Sequence, residues 1–124
     1  MCDNQSSQLK PKVVVIDYGM GNTWSVLSAL KYIGIDGELS NDKNKISNAD
    51  CLILPGVGSF KKGVINLKKL DIFKLIINEV SEKNKKILGI CLGFQLLGIS
   101  STEDGFQEGL NLIPARVEKF EISN

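Results

Sequence analysis

Residues Lys85–Gly98 read KKILGICLGFQLLG. An apolar run ends at Cys91, and Gly89 and Gly93 stand two residues before and two after it. The spacing is that of the nucleophile elbow G-x-S-x-G, with a thiol in place of the hydroxyl. At such an elbow a strand turns sharply into a helix, and the backbones crowd so closely that both flanking positions must be small. Cys91 would then stand clear of the sheet at the start of a helix over 92–99, where the partial positive charge favours a thiolate. The Leu92 amide would point outward as an oxyanion donor. The same residues also suit a small apolar cysteine inside a core, a common place for a free thiol. Glycine spacing alone leaves both readings open, and the 124 residues contain no histidine to activate the thiol.

Two further runs share the character of this one: KVVVIDYG at 12–19 and DCLILPGVG at 50–58. Each is continuously apolar rather than alternating and ends at glycine, as strands do when a parallel sheet is covered on both faces. Between them lie segments of helical period. Val26, Leu27, Leu30 and Ile33 mark one face, with Asn22 or Thr23 as N-cap and Gly34 as the stop. Val64, Leu67, Ile72, Leu75, Ile76 and Val80 mark one or two more helices, with a possible break at Leu70–Asp71. GELS at 37–40 is a candidate short strand, and a last strand is expected from about Arg116 to Ile122. The pattern β-α-β-α-β-α-β predicts an α/β fold with a doubly wound, mostly parallel sheet.

Composition sets the bounds. One domain is expected from 124 residues, 43% of them hydrophobic and 23% charged. A net charge of +1 implies no polyanion partner, so no nucleic acid is expected. No apolar run approaches a membrane span. The polar start MCDNQSSQLKPK lacks a signal-peptide core and reads as a flexible arm over 1–11. Three widely spaced cysteines without a secretory signal fit a reducing cytoplasm rather than a disulfide framework. Cys51, in mid-strand without a glycine frame, reads as a small hydrophobe. Without histidine or C-x-x-C, no metal site is expected.

In a doubly wound sheet, ligands sit at the carboxyl ends of the strands. Three turns fall there together: Tyr18–Asn22, Pro55–Ser59 and Cys91–Gly93. In LPGVGSF the Val57 amide could be a second oxyanion donor, and Gly58 would let a substrate approach the backbone. A plain strand-to-helix turn explains the same residues equally simply. DYGMGNTW begins like a dinucleotide fingerprint, but the third glycine position holds Trp24 and no P-loop lysine follows, so no nucleotide site is expected.

Taken together, VVVIDYGMGN, LILPGVGSF and ILGICLGFQLL, followed by EGLNLIPARVEKF, resemble the family of glutaminase subunits of imidazole glycerol phosphate synthase, within the class I glutamine amidotransferases. The resemblance runs from Lys12 to Phe120. It implies that Cys91 attacks the side-chain amide of L-glutamine and forms a thioester. The Val57 and Leu92 amides would then form the oxyanion hole, and Gly56, Gly58 and Gln95 would hold the glutamine. It also implies that Tyr18, Gly19, Met20, Gly21 and Asn22 lie toward a (β/α)8-barrel synthase subunit. That subunit would receive the ammonia and make imidazole glycerol phosphate in histidine biosynthesis. No cofactor is implied.

Phe94 stands where the family usually has Met or Leu, and the residues before Lys12 are extra. The family continues beyond the matched region with further strands and with the catalytic His and Glu. Residues 12–124 are therefore expected to be the N-terminal portion of such a domain, C-terminally incomplete and inactive alone. Three other readings stand beside this one. They are an ammonia-supplying subunit for sugar amidation in surface polysaccharides, a cysteine-elbow redox or stress protein on a flavodoxin-like sheet, and a non-catalytic half that docks on a barrel.

Overall fold

Continuous β-branched sequence at Val13–Ile16 forms β1, with all four residues buried. A strand apolar on both sides needs cover on both sides, and the remaining elements supply it. The computed structural model describes residues 10–121. Lys10 and Pro11 are exposed there, and the rest of the expected arm lies outside the described residues. The chain runs β1, α1 (Thr23–Tyr32), β2 (Gly37–Ser40), α2 (Lys43–Asn48), β3 (Cys51–Leu54), α3 (Phe60–Lys69), α4 (Phe73–Ser81), β4 (Lys86–Gly89), α5 (Leu92–Leu96), β5 (Ser100–Ser101), β6 (Gln107–Glu108) and β7 (Arg116–Val117).

β1 to β4 form one parallel sheet in the order β2-β1-β3-β4. Val15 stands opposite Leu39 on one side and Ile53 on the other. Side chains alternate between the two faces. Val14, Ile16, Leu52 and Leu54 enter the larger core with Ile46, Phe60, Val64, Leu67, Ile76 and Leu96 from the helices. Val13, Val15 and Ile53 enter a smaller core with Leu30 of α1. Cys51 packs half-buried against that smaller core, in the hydrophobic role expected of it. Helices thus lie on both faces, and the fold is the doubly wound α/β arrangement the sequence predicts.

Local chemistry sets the ends of the elements. Asn22 caps α1 by accepting from the Ser25 amide at 3.3 Å. The helix closes with Ile35 N–H on the Leu30 carbonyl at 2.8 Å and Gly34, at φ +86°, on Lys31 at 3.0 Å. That is a Schellman stop. The same pair of bonds ends α3, from Ile72 to Leu67 and from Asp71 to Lys68. There Asp71 holds φ 59° without being glycine. The break at Leu70–Asp71 is therefore real, and Leu67 and Ile72 are fully buried on either side of it.

Three expectations need correction. α2 was not foreseen: its polar stretch offers a single apolar anchor, Ile46, too little for a helical period, and Asp42 capping the Lys45 amide supplies the start. The elbow helix stops at Leu96 rather than 99, because residues 110–112 cross its end and donate amides to the carbonyls of Leu96, Gly98 and Leu97 at 2.8–2.9 Å. The last strand is two residues long, Arg116–Val117. It joins a second small sheet, ordered β6-β5-β7, and does not extend the main one. Ile122 lies outside the described residues.

The α4 end is fixed by charge. Glu79 is buried and pairs with Lys85 at 2.9 Å and Lys83 at 3.0 Å. Lys85 also donates to the carbonyls of Ile46 and Ser47, at 2.9 and 2.7 Å, which closes the C-terminus of α2. Desolvation pushes the Glu79 carboxyl up, but the two lysines outweigh it and hold the group below its ordinary value.

Candidate active site

Ile90 extends the β4 ladder by one bond, N–H to the Leu54 carbonyl at 2.9 Å. The chain then turns at once: Gly93 N–H returns to the Ile90 carbonyl at 2.9 Å, and Cys91 sits between at φ 53°, ψ −117°. This is a conformation that side chains rarely adopt, and it leaves Cys91 exposed. Both flanking glycines are sterically required. A methyl on Gly93 would lie 1.7 Å from the Leu54 carbonyl oxygen, and one on Gly89 would lie 2.6 Å from the Phe94 Cα. Exposed at this turn, Cys91 is not a core cysteine.

The loop after β3 lies against the elbow. Gly56 and Gly58 hold φ of +143° and +119°, and Ser59 caps α3 by accepting from the Lys62 amide at 3.2 Å. Gly56 donates nothing to the elbow but accepts from it: the Leu92 N–H bonds its carbonyl oxygen at 3.0 Å. The expected oxyanion donor of Leu92 is therefore occupied by the loop in this conformation, and its side chain is buried. Val57 is exposed at the tip. Gln95 is half-buried on α5, its amide accepted by the Cys91 carbonyl at 3.2 Å.

The loop after β1 supports the loop after β3 from below. The Tyr18 hydroxyl donates to the Pro55 carbonyl, and a methyl on Gly56 would meet that hydroxyl at 2.1 Å. The Met20 methyl would lie 3.1 Å from a methyl on Gly58. A methyl on Gly21 would lie 2.7 Å from the Gly56 Cα and 2.9 Å from the Val57 nitrogen. Asn66 of α3 holds the Tyr18 carbonyl at 3.0 Å. Burial pushes the Tyr18 phenol well above its ordinary value, so it remains a donor throughout the neutral range.

Residues 14–120 match the family model for glutamine amidotransferase class-I. The chain belongs to the class-I glutamine amidotransferase family. It is 47% identical over 106 residues to imidazole glycerol phosphate synthase subunit HisH 1 of Parasynechococcus marenigrum, a match covering 86% of this chain and 50% of that one. It is 45% identical over 112 residues to subunit HisH 2 of Methanococcus maripaludis, covering 90% and 55%. The chain thus spans about half the length of these curated relatives. A crystal structure of a glutamine amidotransferase superposes with a TM-score of 0.73 at 24% identity, covering 85% of this chain and 55% of that chain, and it supports the fold.

For a class-I glutamine amidotransferase, the three turns converge as expected, with one division. Of the five residues assigned to a partner interface, Gly19, Gly21 and Asn22 are exposed, whereas Tyr18 and Met20 are buried. With a glycine after each, Tyr18 and Met20 both turn inward and become the floor of the Pro55–Gly58 loop. Among the described residues, no group of three or more His, Cys, Asp or Glu gathers to hold a metal. No described helix is long and apolar enough to cross a membrane.

Proposed function

We propose that this chain carries the nucleophile and the oxyanion loop of a glutaminase that supplies ammonia for imidazole glycerol phosphate synthesis. The observation that carries the reading is Cys91 at φ 53°, exposed on a glycine-framed elbow whose next amide faces the Gly56 loop. The Cys91 sulfur attacks the carboxamide carbon of glutamine. The oxygen takes the negative charge, and the intermediate collapses to a γ-glutamyl thioester as ammonia leaves with an added proton. Water then cleaves the thioester, giving glutamate and the free thiol.

The oxyanion needs donors at the moment charge develops. The Leu92 amide serves once the Gly56 carbonyl withdraws, and turning over the Gly56–Val57 peptide brings the Val57 amide to the same spot. Glycine on both sides of Val57 makes that rotation accessible. Gly58 and Gln95 flank the position a glutamine side chain would take. Proton transfer requires a base and an acid, and the 124 residues hold no histidine. We assign that role to polypeptide outside these residues, which makes the chain inactive by itself.

The relatives at 45–47% identity are named as subunits of imidazole glycerol phosphate synthase, which supports that product; the partner we assign to take up the ammonia is a barrel subunit of such a synthase. Gly19, Gly21 and Asn22 offer exposed backbone for that contact. The cytoplasm is the compartment this pathway implies. A pull-down with the barrel subunit of a histidine-pathway synthase tests the assignment. Capture that is weakened by substituting Asn22 is expected; no capture removes the partner assignment while leaving the cysteine chemistry intact.

A further inference from the structure

An Asp–Gly step is a place where a polypeptide backbone can rearrange with water as the only other reactant. Glycine has no Cβ to obstruct the approach of its nitrogen to the aspartate side chain, and its backbone turns freely. The chain has two such steps, Asp36–Gly37 and Asp104–Gly105, and no Asn–Gly step. The fold treats the two differently. Gly37 is the first residue of β2, in register with Val13 of β1. A methyl on Gly37 would lie 2.6 Å from the Leu30 Cδ1, so α1 packs directly over it. Ring closure at Asp36–Gly37 would have to pull the glycine from its strand and from beneath that helix.

Asp104–Gly105 carries no such restraint. It lies in the loop between β5 and β6. Both residues are exposed, and Phe106 beside them is 68% exposed. Gly105 holds φ +80°, and a methyl there would meet nothing within 4 Å. The loop is fastened before the step by Thr102 N–H on the Val117 carbonyl at 3.1 Å and by Glu103 N–H on Ser101 Oγ at 3.2 Å. It is fastened again after the step, where Gln107 pairs with Ser101. Asp104 and Gly105 lie between these fastenings, in the low-stability part of the structure where local rearrangement costs least.

We propose that Asp104–Gly105 is a covalent modification site, at which the aspartate converts through a succinimide to isoaspartate. The Gly105 nitrogen bonds the Asp104 side-chain carboxyl carbon, and the amide proton and the acid's hydroxyl leave together as water. Water then opens the five-membered imide at the former main-chain carbonyl. The main chain now runs through the side-chain carbon, and the former main-chain carboxyl is free. The product has the mass of the parent, and no oxidant or reductant is consumed. The freed α-carboxylate is the group that a protein isoaspartyl methyltransferase esterifies with a methyl group from S-adenosylmethionine, so the modified loop becomes a substrate for methyl transfer.

The test incubates the full 124-residue chain at mildly acidic pH and physiological temperature, once folded and once in concentrated urea. Peptide mapping with electron-transfer fragmentation measures isoaspartate at each step, and enzymatic methylation gives an independent total. In the folded chain isoaspartate should accumulate at 104 several-fold faster than at 36. In urea the two steps, being the same dipeptide, should react at similar rates. Asp104→Glu, which would need a six-membered ring, should remove the signal at 104 and most of the methylation of the folded chain. Isoaspartate at 104 that only equals or lags behind that at 36 in the folded chain would overturn the proposal. So would its absence at 104 once the urea sample has accumulated it, or a preference for 104 that persists unchanged in urea.

Discussion

The hydroxyl of Tyr18 lies directly beneath Gly56, where a single added methyl would approach it to 2.1 Å, and it donates to the carbonyl of Pro55. The Pro55–Gly58 loop therefore rests on a buried phenol. Tyr18→Phe leaves the shape and removes the donor, so the buried Pro55 carbonyl goes unsatisfied. A loss of about 1–3 kcal/mol is expected in urea denaturation. Gly56→Ala should displace the loop, visible as loss of protection of the Leu92 amide in hydrogen exchange. Unchanged Leu92 protection in Gly56→Ala would contradict this packing.

Cys91 occupies a backbone conformation that disfavours side chains. Such strain amounts to about 1–3 kcal/mol and is retained where function needs it. Cys91→Gly should accordingly raise stability, by about 1 kcal/mol, while removing the thiol. Cys51→Gly, in mid-strand and half-buried against the smaller core, should lower it. Thermal denaturation of the two variants gives the comparison, and equal signs would speak against the elbow strain.

The glycines grade by what surrounds them. Gly93→Ala drives a methyl to 1.7 Å from a backbone oxygen, and backbone cannot step aside. A loss on the order of 4 kcal/mol or more is expected. Gly63→Ala meets the Leu96 side-chain methyl at 3.1 Å, which a rotamer adjustment relieves, so its effect should be several-fold smaller. Equilibrium unfolding of both variants tests the order; a Gly63→Ala loss as large as that of Gly93→Ala would refute it.

Glu79 ties stability to pH. Its carboxyl titrates below the ordinary value of 4.5 because Lys85 and Lys83 outweigh desolvation. The unfolded chain thus takes up this proton at a higher pH than the folded chain. The pair's contribution is complete above 4.5 and is lost as pH falls through the folded value. Glu79→Gln should cost on the order of 3 kcal/mol at pH 7, because it strands the buried Lys85 ammonium. It should also flatten the acid limb of the stability profile. An acid limb as steep as that of the parent would show that Glu79 does not set it.

Much of the fold was legible because its strands are continuous β-branched or leucine runs that stop at glycine. The elbow was legible for a steric reason, since only glycine fits at 89 and 93. α2 escaped because Ile46 alone cannot make a period, and the two-residue strands β5, β6 and β7 are too short to carry alternation. The inward turn of Tyr18 and Met20 escaped because it depends on the loop above them, a contact between segments about 37 residues apart. The bond from the Leu92 amide to the Gly56 carbonyl is likewise a matter of peptide orientation, which residue types do not encode at glycine.

The central claim is that Cys91 is held to react with glutamine. Treating the purified chain with a chloroketone analogue of glutamine and mapping adducts by mass spectrometry tests it most directly. The account predicts a single adduct on Cys91, slowed by excess L-glutamine and absent in Cys91→Ser. Equal labelling of Cys51, or Cys91 labelling that L-glutamine does not slow, would contradict it.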